Sequence, residues 1–217
     1  HSWKTKTKYI VRGHRCPYCT GYKIIQGEND FATLAPKELL LEWDYDKNTI
    51  LPEKVSSLNK LVWWKCGLGH SYEMRISSRV GKQKCGCPYC SIPAKKVLTG
   101  FNDLATTNPM VLNEWDYDKN QSLPNEIFAG SAKNRFWICA KNHSYLMSTN
   151  KRTSSGQNCP YCSNRKVLLG YNDLATTHPA ISKQWHPIKN DKRSNEVVAG
   201  STFIAWWLCD KGHEWKA

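Results

Sequence analysis

Hydrophobic and polar positions follow the same order at three places along the chain. Aromatic and apolar residues dominate three five-residue segments, which predict one β-strand each: residues 62–66, 135–139 and 205–209. After the first of these, Ser71-Tyr72-Glu73-Met74 alternates polar with apolar residues, as a half-buried second strand does. Each copy therefore predicts a two-stranded ribbon. No apolar run approaches about 18 residues, which excludes a membrane-spanning helix.

A segment that begins with proline precedes each ribbon and predicts one short helix per copy. Proline suits the first helical position, and Asn108 is placed to cap the middle copy. The prolines are Pro36, Pro109 and Pro179. Each helix is expected to end near a tryptophan that packs inward, namely Trp43, Trp115 or Trp185. Residues 97–100 and 167–170, further upstream, predict short apolar strands that end in glycine.

The cysteines recur with the same period as the ribbons. Six of the ten lie in Cys-Pro-Tyr-Cys motifs spaced 71 and 72 residues apart: Cys16/Cys19, Cys87/Cys90 and Cys159/Cys162. Each predicted first strand runs into a Cys-x-x-x-His turn: Cys66/His70, Cys139/His143 and Cys209/His213. Paired cysteines with histidines nearby are typical of structural zinc sites rather than disulfides, and they favour a reducing compartment.

Two groupings of these ligands fit the spacing. In the first, each Cys-x-x-x-His turn joins the next Cys-Pro-Tyr-Cys motif, giving Cys66, His70, Cys87 and Cys90, then Cys139, His143, Cys159 and Cys162. In the second, each Cys-Pro-Tyr-Cys motif joins the Cys-x-x-x-His turn roughly 46 residues downstream, giving three complete sites. The first is preferred because closing a shorter loop costs less entropy, and the second stays open.

The first grouping leaves ligands over at both ends of the chain. His1, Cys16 and Cys19 would form three-quarters of a site whose first cysteine lies upstream, and Cys209 and His213 would await a downstream motif. Cys85 aligns with Gln157 and is expected to be a free thiol, while His14 is a weaker candidate for a replacement ligand.

These motifs resemble a known family. The segment Trp63-Trp64-Lys65-Cys66-Gly67-Leu68-Gly69-His70, the Cys87-Pro88-Tyr89-Cys90 motif and Glu114-Trp115-Asp116 are similar to the zinc-ribbon (treble-clef-like) repeats found in tandem in bacterial, phage and large-virus proteins. Asn142 departs from the pattern by replacing the glycine before His143. Some members are fused to endonuclease domains similar to very-short-patch repair enzymes, which implies a role on DNA and a nuclease or other effector domain in cis or in trans.

The resemblance covers nearly the whole chain and implies an α+β fold of small metal-stabilised repeats. We expect tandem zinc-ribbon or treble-clef-like modules, each of short β-hairpins plus one short helix, arranged as an elongated array. The predicted boundaries are a partial module at 1–26, repeats at 27–98 and 99–168, and a partial repeat at 169–217.

The net charge of +13 is unevenly distributed. Segments 1–26, 71–96 and 144–168 carry about +6, +5 and +4, whereas 27–53 and 101–128 carry about −5 and −4. Basic ribbons at a regular interval predict a row of phosphate contacts along a nucleic acid, with duplex DNA preferred because of the nuclease associations. The candidate contacts, with the first two ranked highest, are Arg79, Arg152, Lys82, Lys84, Lys151, Arg12 and Arg15.

The predicted function is a non-catalytic, zinc-dependent nucleic-acid-binding array that targets a larger protein, in the cytoplasm or nucleoid, or in the nucleus of a eukaryotic host. The alternative is a protein-interaction scaffold that docks a partner through its acidic helices. An enzyme is not expected, although Asp30, Asp103 and Asp173 recur beside asparagine. Active sites seldom repeat in every module, and Asn-Asp before a helix is ordinary capping chemistry.

Overall fold

The computed structural model describes residues 1–56 and 58–217, which form two compact units, His1–Lys96 and Val97–Ala217. The strands in these described residues pair as three antiparallel hairpins, as predicted. The first unit contains β1 (Leu61–Lys65) and β2 (Ser71–Arg75). The second contains β3 (Asn134–Ile138) with β4 (Ser144–Ser148), and β5 (Trp206–Leu208) with β6 (Glu214–Lys216).

All the described helices are short. The α-helices are Thr7–Val11, Phe31–Leu34, Lys37–Leu41, Ile76–Val80, Leu104–Thr107, Thr149–Thr153, Leu174–Thr177 and Pro179–Ser182. The 3₁₀ helices are Pro52–Lys54, Pro109–Glu114, Pro124–Glu126 and Ser194–Glu196. Within residues 1–56 and 58–217, no helix has the length and apolar character needed to cross a bilayer.

Perpendicular tryptophan pairs join helix to hairpin in every module. In the first module, Trp43 lies at the end of the helical segment and meets Trp64 of β1 edge to face, with 5.6 Å between ring centroids. The corresponding distances are 5.1 Å for Trp115 and Trp137, and 5.2 Å for Trp185 and Trp207. Such pairs contribute about 0.5–1.5 kcal/mol beyond the burial of their area. The inward packing predicted for Trp43 and Trp115 is confirmed, since both are almost fully buried.

The strand register decides which aromatic residues reach this core. Trp64 lies opposite Tyr72, and both are buried, whereas Trp63 lies opposite the exposed Glu73 on the other face. The indole Nε1 of Trp64 donates to the carbonyl of Met74 at 3.0 Å, which satisfies its only polar atom inside the core. The two neighbouring tryptophans therefore have different environments, one in the core and one on the outer face.

A capped turn opens each module and replaces the strand predicted at residues 97–100 and 167–170. Asp103 is fully buried and accepts hydrogen bonds from the backbone N–H of Gly100 (2.6 Å) and of Thr106 (2.9 Å), and from the Thr106 hydroxyl (2.8 Å). Asn102 accepts from the N–H of Leu98 at 2.7 Å. The side chains of Asn102 and Asp103 thus accept from backbone N–H groups that would bond to a neighbouring strand in a β-sheet. The predicted capping role of the aspartates is confirmed, and Asp30 and Asp173 make the same bonds.

The proline-initiated helices match the prediction in part. Pro109 and Pro179 are first helical residues, but Pro36 precedes its helix, and the middle copy winds as a 3₁₀ helix. The expected Asn108 cap is wrong, because its side chain makes no capping hydrogen bond. The helices after the hairpins, Ile76–Val80 and Thr149–Thr153, were not predicted, since five residues are too few to show a helical period.

Replacing Asp103 with alanine is expected to lower the free energy of unfolding of zinc-loaded protein by about 1–2 kcal/mol in urea titrations, because it removes the cap of Leu104–Thr107. The exposed Asp118→Ala is the control and should change little. Burial would raise the pKa of Asp103, but the Thr106 and Gly100 bonds outweigh it and lower the pKa below its ordinary 3.8. The stabilisation is therefore fully present above about pH 4 and is lost only as the pH falls through the lower folded-state pKa. Equal losses in both variants would contradict the capping role.

Candidate metal centres

The Cys-x-x-x-His turns have one backbone geometry in all three modules. In the first, the N–H of Cys66 donates to the carbonyl of His70 (3.1 Å) and the N–H of Gly69 donates to that of Cys66 (2.8 Å). This fold needs a left-handed residue before the histidine, and Gly69 has φ +81°. Asn142 occupies the same position with φ +60°. Asparagine tolerates this region better than other side chains, which explains the departure from glycine in the middle copy.

The Cys-Pro-Tyr-Cys turn supplies the other two ligands. The carbonyl of Pro88 accepts from the N–H of Lys95 at 2.8 Å, which closes the turn after Cys90. Tyr89 and His70 form a T-shaped ring pair with 5.9 Å between centroids, and Tyr161 and His143 form the same pair at 6.0 Å. The tyrosine of the motif therefore packs on the histidine contributed by the opposite turn.

Four potential ligands converge in the first site, which comprises Cys66, His70, Cys87 and Cys90. The Sγ atoms of Cys66 and Cys90 are 4.0 Å apart, and Nδ1 of His70 lies 3.2 Å from Cys90 Sγ and 3.9 Å from Cys87 Sγ. Tetrahedral zinc with ordinary bond lengths requires separations of about 3.8 Å between sulfurs and about 3.6 Å between sulfur and nitrogen. The donor set fits zinc in chemistry and in size.

The second site repeats this arrangement with Cys139, His143, Cys159 and Cys162. Its Cys139–Cys162 sulfur separation is 3.8 Å, and Nδ1 of His143 lies 3.3 Å from Cys162 Sγ and 3.8 Å from Cys159 Sγ. The same histidine nitrogen faces the sulfurs in both sites. The sequence grouping that joins each Cys-x-x-x-His turn to the following motif is the one the structure brings together.

An N-terminal cluster unites three of the predicted ligands. Nδ1 of His1 lies 3.6 Å from Cys19 Sγ and 3.9 Å from Cys16 Sγ, the same relation as in the complete sites. Nε2 of His1 contacts the carboxylate of Glu28 at 3.1 Å, a partner that ligating histidines commonly have. The alternative grouping would have needed Cys16 and Cys19 to meet Cys66 and His70, and the structure places the latter pair elsewhere.

Four remaining candidates among the cysteines and histidines lie outside these clusters. Cys209 and His213 form the same turn as their counterparts, but no third Cys or His joins them within the described ranges 1–56 and 58–217. The thiol of Cys85 points to Gln83 Oε1 at 3.8 Å and belongs to no metal cluster of the described chain. His14 packs at a tilt against Tyr9, with 5.2 Å between ring centroids, and does not enter the N-terminal cluster.

The close packing of thiols in the first site favours the binding of a divalent cation. Burial, together with hydrogen bonds to Cys87 and Cys66, raises the pKa of Cys90 to about 12. Burial also acts to raise the pKa of Cys66, but backbone N–H groups of Leu68 and His70 outweigh it and lower that pKa. Packed thiols thus resist losing their protons together. Zinc supplies the positive charge that allows all three to act as thiolates, so metal binding and folding are coupled.

A contact from the next module that sequence reasoning missed covers the second site. The ring centroids of Tyr171 and His143 are 4.1 Å apart, and the Tyr171 hydroxyl lies 3.9 Å from Cys162 Sγ. Lys141 donates to the same hydroxyl at 3.0 Å. Tyr171 occupies the position that Glu28 holds against His1. The residue after the recurring turn glycine, Gly27 or Gly170, therefore contacts the histidine of the preceding site in both places.

Asparagine fixes each of these contacts to the preceding Cys-Pro-Tyr-Cys turn. The amide of Asn172 donates to the carbonyls of Tyr161 and Lys166, both at 2.9 Å, and its oxygen accepts from the N–H of Leu168 at 2.7 Å. Asn29 makes the equivalent bonds to Tyr18, Lys23 and Ile25. The Asn-Asp pair that recurs in the sequence was the available signal for this contact. Helix capping explains its aspartate, whereas its asparagine binds the preceding turn.

The two highest-ranked nucleic-acid contacts have a different role in the structure. Arg79 is buried, lies over the Trp64 ring at 5.1 Å, and pairs with Glu42. Arg152 is largely buried and binds the Glu114 carboxylate twice, through Nε at 3.0 Å and Nη2 at 2.7 Å. The prediction for both is wrong, because each guanidinium ties the helix after a hairpin to the residue before a core tryptophan.

The other predicted basic contacts are exposed to solvent. They are Arg12, Arg15, Lys82, Lys84 and Lys151. Lys82 and Lys84 lie between the helix Ile76–Val80 and the Cys-Pro-Tyr-Cys turn, and Lys151 lies on Thr149–Thr153 beside Arg152. Adjacent basic residues on one short helix thus face in different directions, one outward and one into the module.

Replacing Cys87 with serine should remove one equivalent of zinc per chain and lower the melting temperature of the first unit, because serine is a poor zinc ligand. Cys85→Ser is the matched control, two residues away, and should keep full zinc content. Metal analysis after gel filtration, with thermal denaturation, measures both effects. Zinc loss in the Cys85 variant, or full zinc in the Cys87 variant, would show that the ligand set is wrong.

Replacing Arg152 with alanine should cost about 2–4 kcal/mol in the free energy of unfolding, because it leaves the partly buried Glu114 carboxylate unpaired. The neighbouring Lys151→Ala should change it by less than about 0.5 kcal/mol. Urea denaturation of the two variants, with Arg152→Ala/Glu114→Gln as a partial rescue, makes the comparison. Similar stabilities for Lys151→Ala and Arg152→Ala would refute the structural role.

Comparison with known proteins agrees with this architecture. Among curated proteins, no relative matches the chain. The family model described as a probable treble clef zinc finger domain matches three times in tandem, at residues 39–93, 111–165 and 181–217. The first two matches each contain one hairpin, the short helix that follows it and all four ligands of one complete site, so the structural zinc sites agree with the family. This chain belongs to the probable treble clef zinc finger family and carries its domain in three tandem copies.

Proposed function

We propose that the chain is a nucleic-acid-binding array of structural zinc modules, with duplex DNA as its expected ligand, and that it targets a larger protein whose effector lies elsewhere. The observation that carries the proposal is the separation of charge between the surface and the interior. All but three of the 31 lysines and arginines are exposed, whereas eight of the 18 acidic residues are buried or half-buried, all of them in the described parts of the chain. The excess of basic over acidic residues is therefore larger among the exposed residues than in the described chain as a whole.

The acidic segments lose much of their outward charge in the fold. Asp30, Asp44 and Asp103 are buried, and each accepts backbone hydrogen bonds. Glu42 and Glu114 neutralise Arg79 and Arg152 inside the modules. This weighs against the alternative of a scaffold that docks partners through acidic helices, because the carboxylates it requires are engaged within the module.

Zinc changes the net charge only slightly. A site with three thiolates and one neutral histidine around Zn²⁺ has a charge of −1, so two complete sites lower the formal +13 to about +11. The exposed bases near the turns, such as Lys84 and Lys151, are thus only weakly offset. A surface of this kind attracts a phosphate backbone over distances of about 10 Å at moderate ionic strength.

The proposal assigns the modules no catalytic role. Each complete site has four protein ligands, which leaves a tetrahedral zinc ion without a coordination position for substrate. The buried aspartates, which also recur in the modules, are engaged as helix caps. These features support a structural use of the metal and binding through the surface.

Replacing Lys82, Lys84 and Lys151 with glutamine should weaken binding to duplex DNA and reduce the slope of log affinity against log salt by about 0.9 for each lost phosphate contact. The matched control is Lys37→Gln, an exposed lysine in the acidic segment of the first module, which should leave both quantities unchanged. Fluorescence anisotropy across a salt series, at constant zinc content, measures them. Absence of binding to any nucleic acid at low salt by zinc-loaded protein would refute the proposal and redirect attention to protein partners.

A further inference from the structure

An aromatic residue lies on the outer face of each hairpin, on the side opposite the core. These residues are Trp63 in β1, Phe136 in β3 and Trp206 in β5, and each directly precedes the tryptophan that enters the core. Trp63 and Trp206 are half-buried, and Phe136 is 36% exposed. The core of each module is built from the neighbouring tryptophan, so packing there does not require an aromatic residue at the outer position.

A lysine lies over each of these rings, always three residues after the position of Asp44, Asp116 or His186. The ammonium of Lys47 is 4.3 Å from the Trp63 ring centroid, Lys119 is 5.7 Å from Phe136, and Lys189 is 4.9 Å from Trp206. Lys119 also donates to Ser144, and Lys189 pairs with Glu214. All three lysines are exposed, so the ammonium is held near the ring at the surface of the module.

An asparagine holds the aromatic residue in place in every copy. Asn48 donates to the carbonyl of Trp63 (2.7 Å) and accepts from its N–H (2.9 Å). Asn120 makes the same pair of bonds to Phe136, at 2.8 and 3.0 Å, and Asn190 to Trp206, at 2.8 and 2.7 Å. These bonds occupy the open edge of the strand and fix the backbone from which the ring projects.

Comparison of the three copies separates this constellation from its surroundings. The residue across the hairpin from the ring changes from Glu73 to Leu146 to Lys216, which differ in charge and polarity. The aromatic residue, the lysine and the asparagine are present in all three. A general need for solubility or strand propensity would not retain the same three-part arrangement while the cross-strand neighbour varies.

We propose that these outer faces, which we call the stacking faces, bind unpaired bases of a nucleic acid. Each consists of an aromatic ring, its lysine and its asparagine. Aromatic rings stack on bases of any sequence, and a lysine beside the ring matches the phosphate that follows each base. A cation over an exposed ring is held weakly and can move to that phosphate when a base takes its place. Paired bases in a duplex cover each other's faces, so only unpaired nucleotides can use this contact.

The inference rests on the proposed function and specifies its ligand. The exposed lysines near the zinc turns bind phosphates of any nucleic acid, whereas the stacking faces distinguish a strand with accessible bases from a closed duplex. The array would thus bind most tightly to DNA that carries an unpaired stretch.

The test removes the rings and compares three probes. The triple variant Trp63→Ile, Phe136→Ile and Trp206→Ile keeps apolar, strand-forming residues. Leu51→Ala with Leu123→Ala is the control, because both leucines are exposed and lie outside the hairpins. The probes are a 20-nucleotide oligo-dT, a blunt duplex, and a duplex with a single-stranded overhang. The ring variant should lose at least about fivefold in affinity for oligo-dT and change less than about twofold on the blunt duplex, with the overhang probe between them.

Zinc content measured first shows whether the variants are folded. If the triple variant loses zinc, Phe136→Leu alone and the exposed set Lys47→Gln, Lys119→Gln and Lys189→Gln replace it, with the same preferential loss on oligo-dT expected. Equal losses on oligo-dT and blunt duplex, or no loss on either, would overturn the stacking faces while the proposed function stands. Failure of the wild-type protein to bind any of the three probes would overturn both.

Discussion

The metal-ligand set is the constraint on which each module depends. The Cys-x-x-x-His turn and the Cys-Pro-Tyr-Cys turn each hold their shape through local backbone hydrogen bonds. They meet because three sulfurs and one imidazole nitrogen must surround one zinc ion. The separations of 3.2–4.0 Å at Cys90, 3.2 to His70 and 4.0 to Cys66, bring the hairpin, the following helix and the Cys-Pro-Tyr-Cys turn into one closed structure. The helices and strands have three to six residues, and such elements cannot support themselves in water. Metal binding and a small aromatic core together compensate for that deficiency.

The aromatic core and the metal site are two halves of one design. A tryptophan pair joins the helix to the first strand, and the strand then leads directly into the first ligand, as Trp64 leads through Lys65 to Cys66. The Arg79–Glu42 ion pair holds the helix Ile76–Val80 against the same tryptophan, Trp64. Such an ion pair stabilises the fold only while both partners are present, since a buried charge left without its partner destabilises the folded state. Its presence explains why an arginine in a basic ribbon does not face solvent.

Successive modules share interactions at the metal sites. Within the second unit, Asn172 and Tyr171 of one module hold the turn and cover the histidine of the preceding site. Asn29 and Glu28 do the same for the N-terminal cluster in the first unit. The zinc-binding turn is therefore finished by residues that follow it in the chain, and the outward surface that remains is rich in lysine. Both the proposed phosphate contacts and the stacking faces lie on that surface.

The repeat, the zinc ligands, the paired strands and the capping aspartates followed from the sequence, because each depends on residues close in the chain. A Cys-x-x-x-His turn and an Asp cap are local chemistry with fixed spacing, and strand alternation is a property of the backbone. The preferred ligand grouping also followed from short loop closure. The helix Ile76–Val80, the true role of Asn172, and the opposite fates of Lys151 and Arg152 did not. Asn172 and Arg152 owe their roles to partners 11 and 38 residues away, the carbonyl of Tyr161 and the carboxylate of Glu114. Only packing in three dimensions determines which of two adjacent cations finds a buried carboxylate and which remains in water.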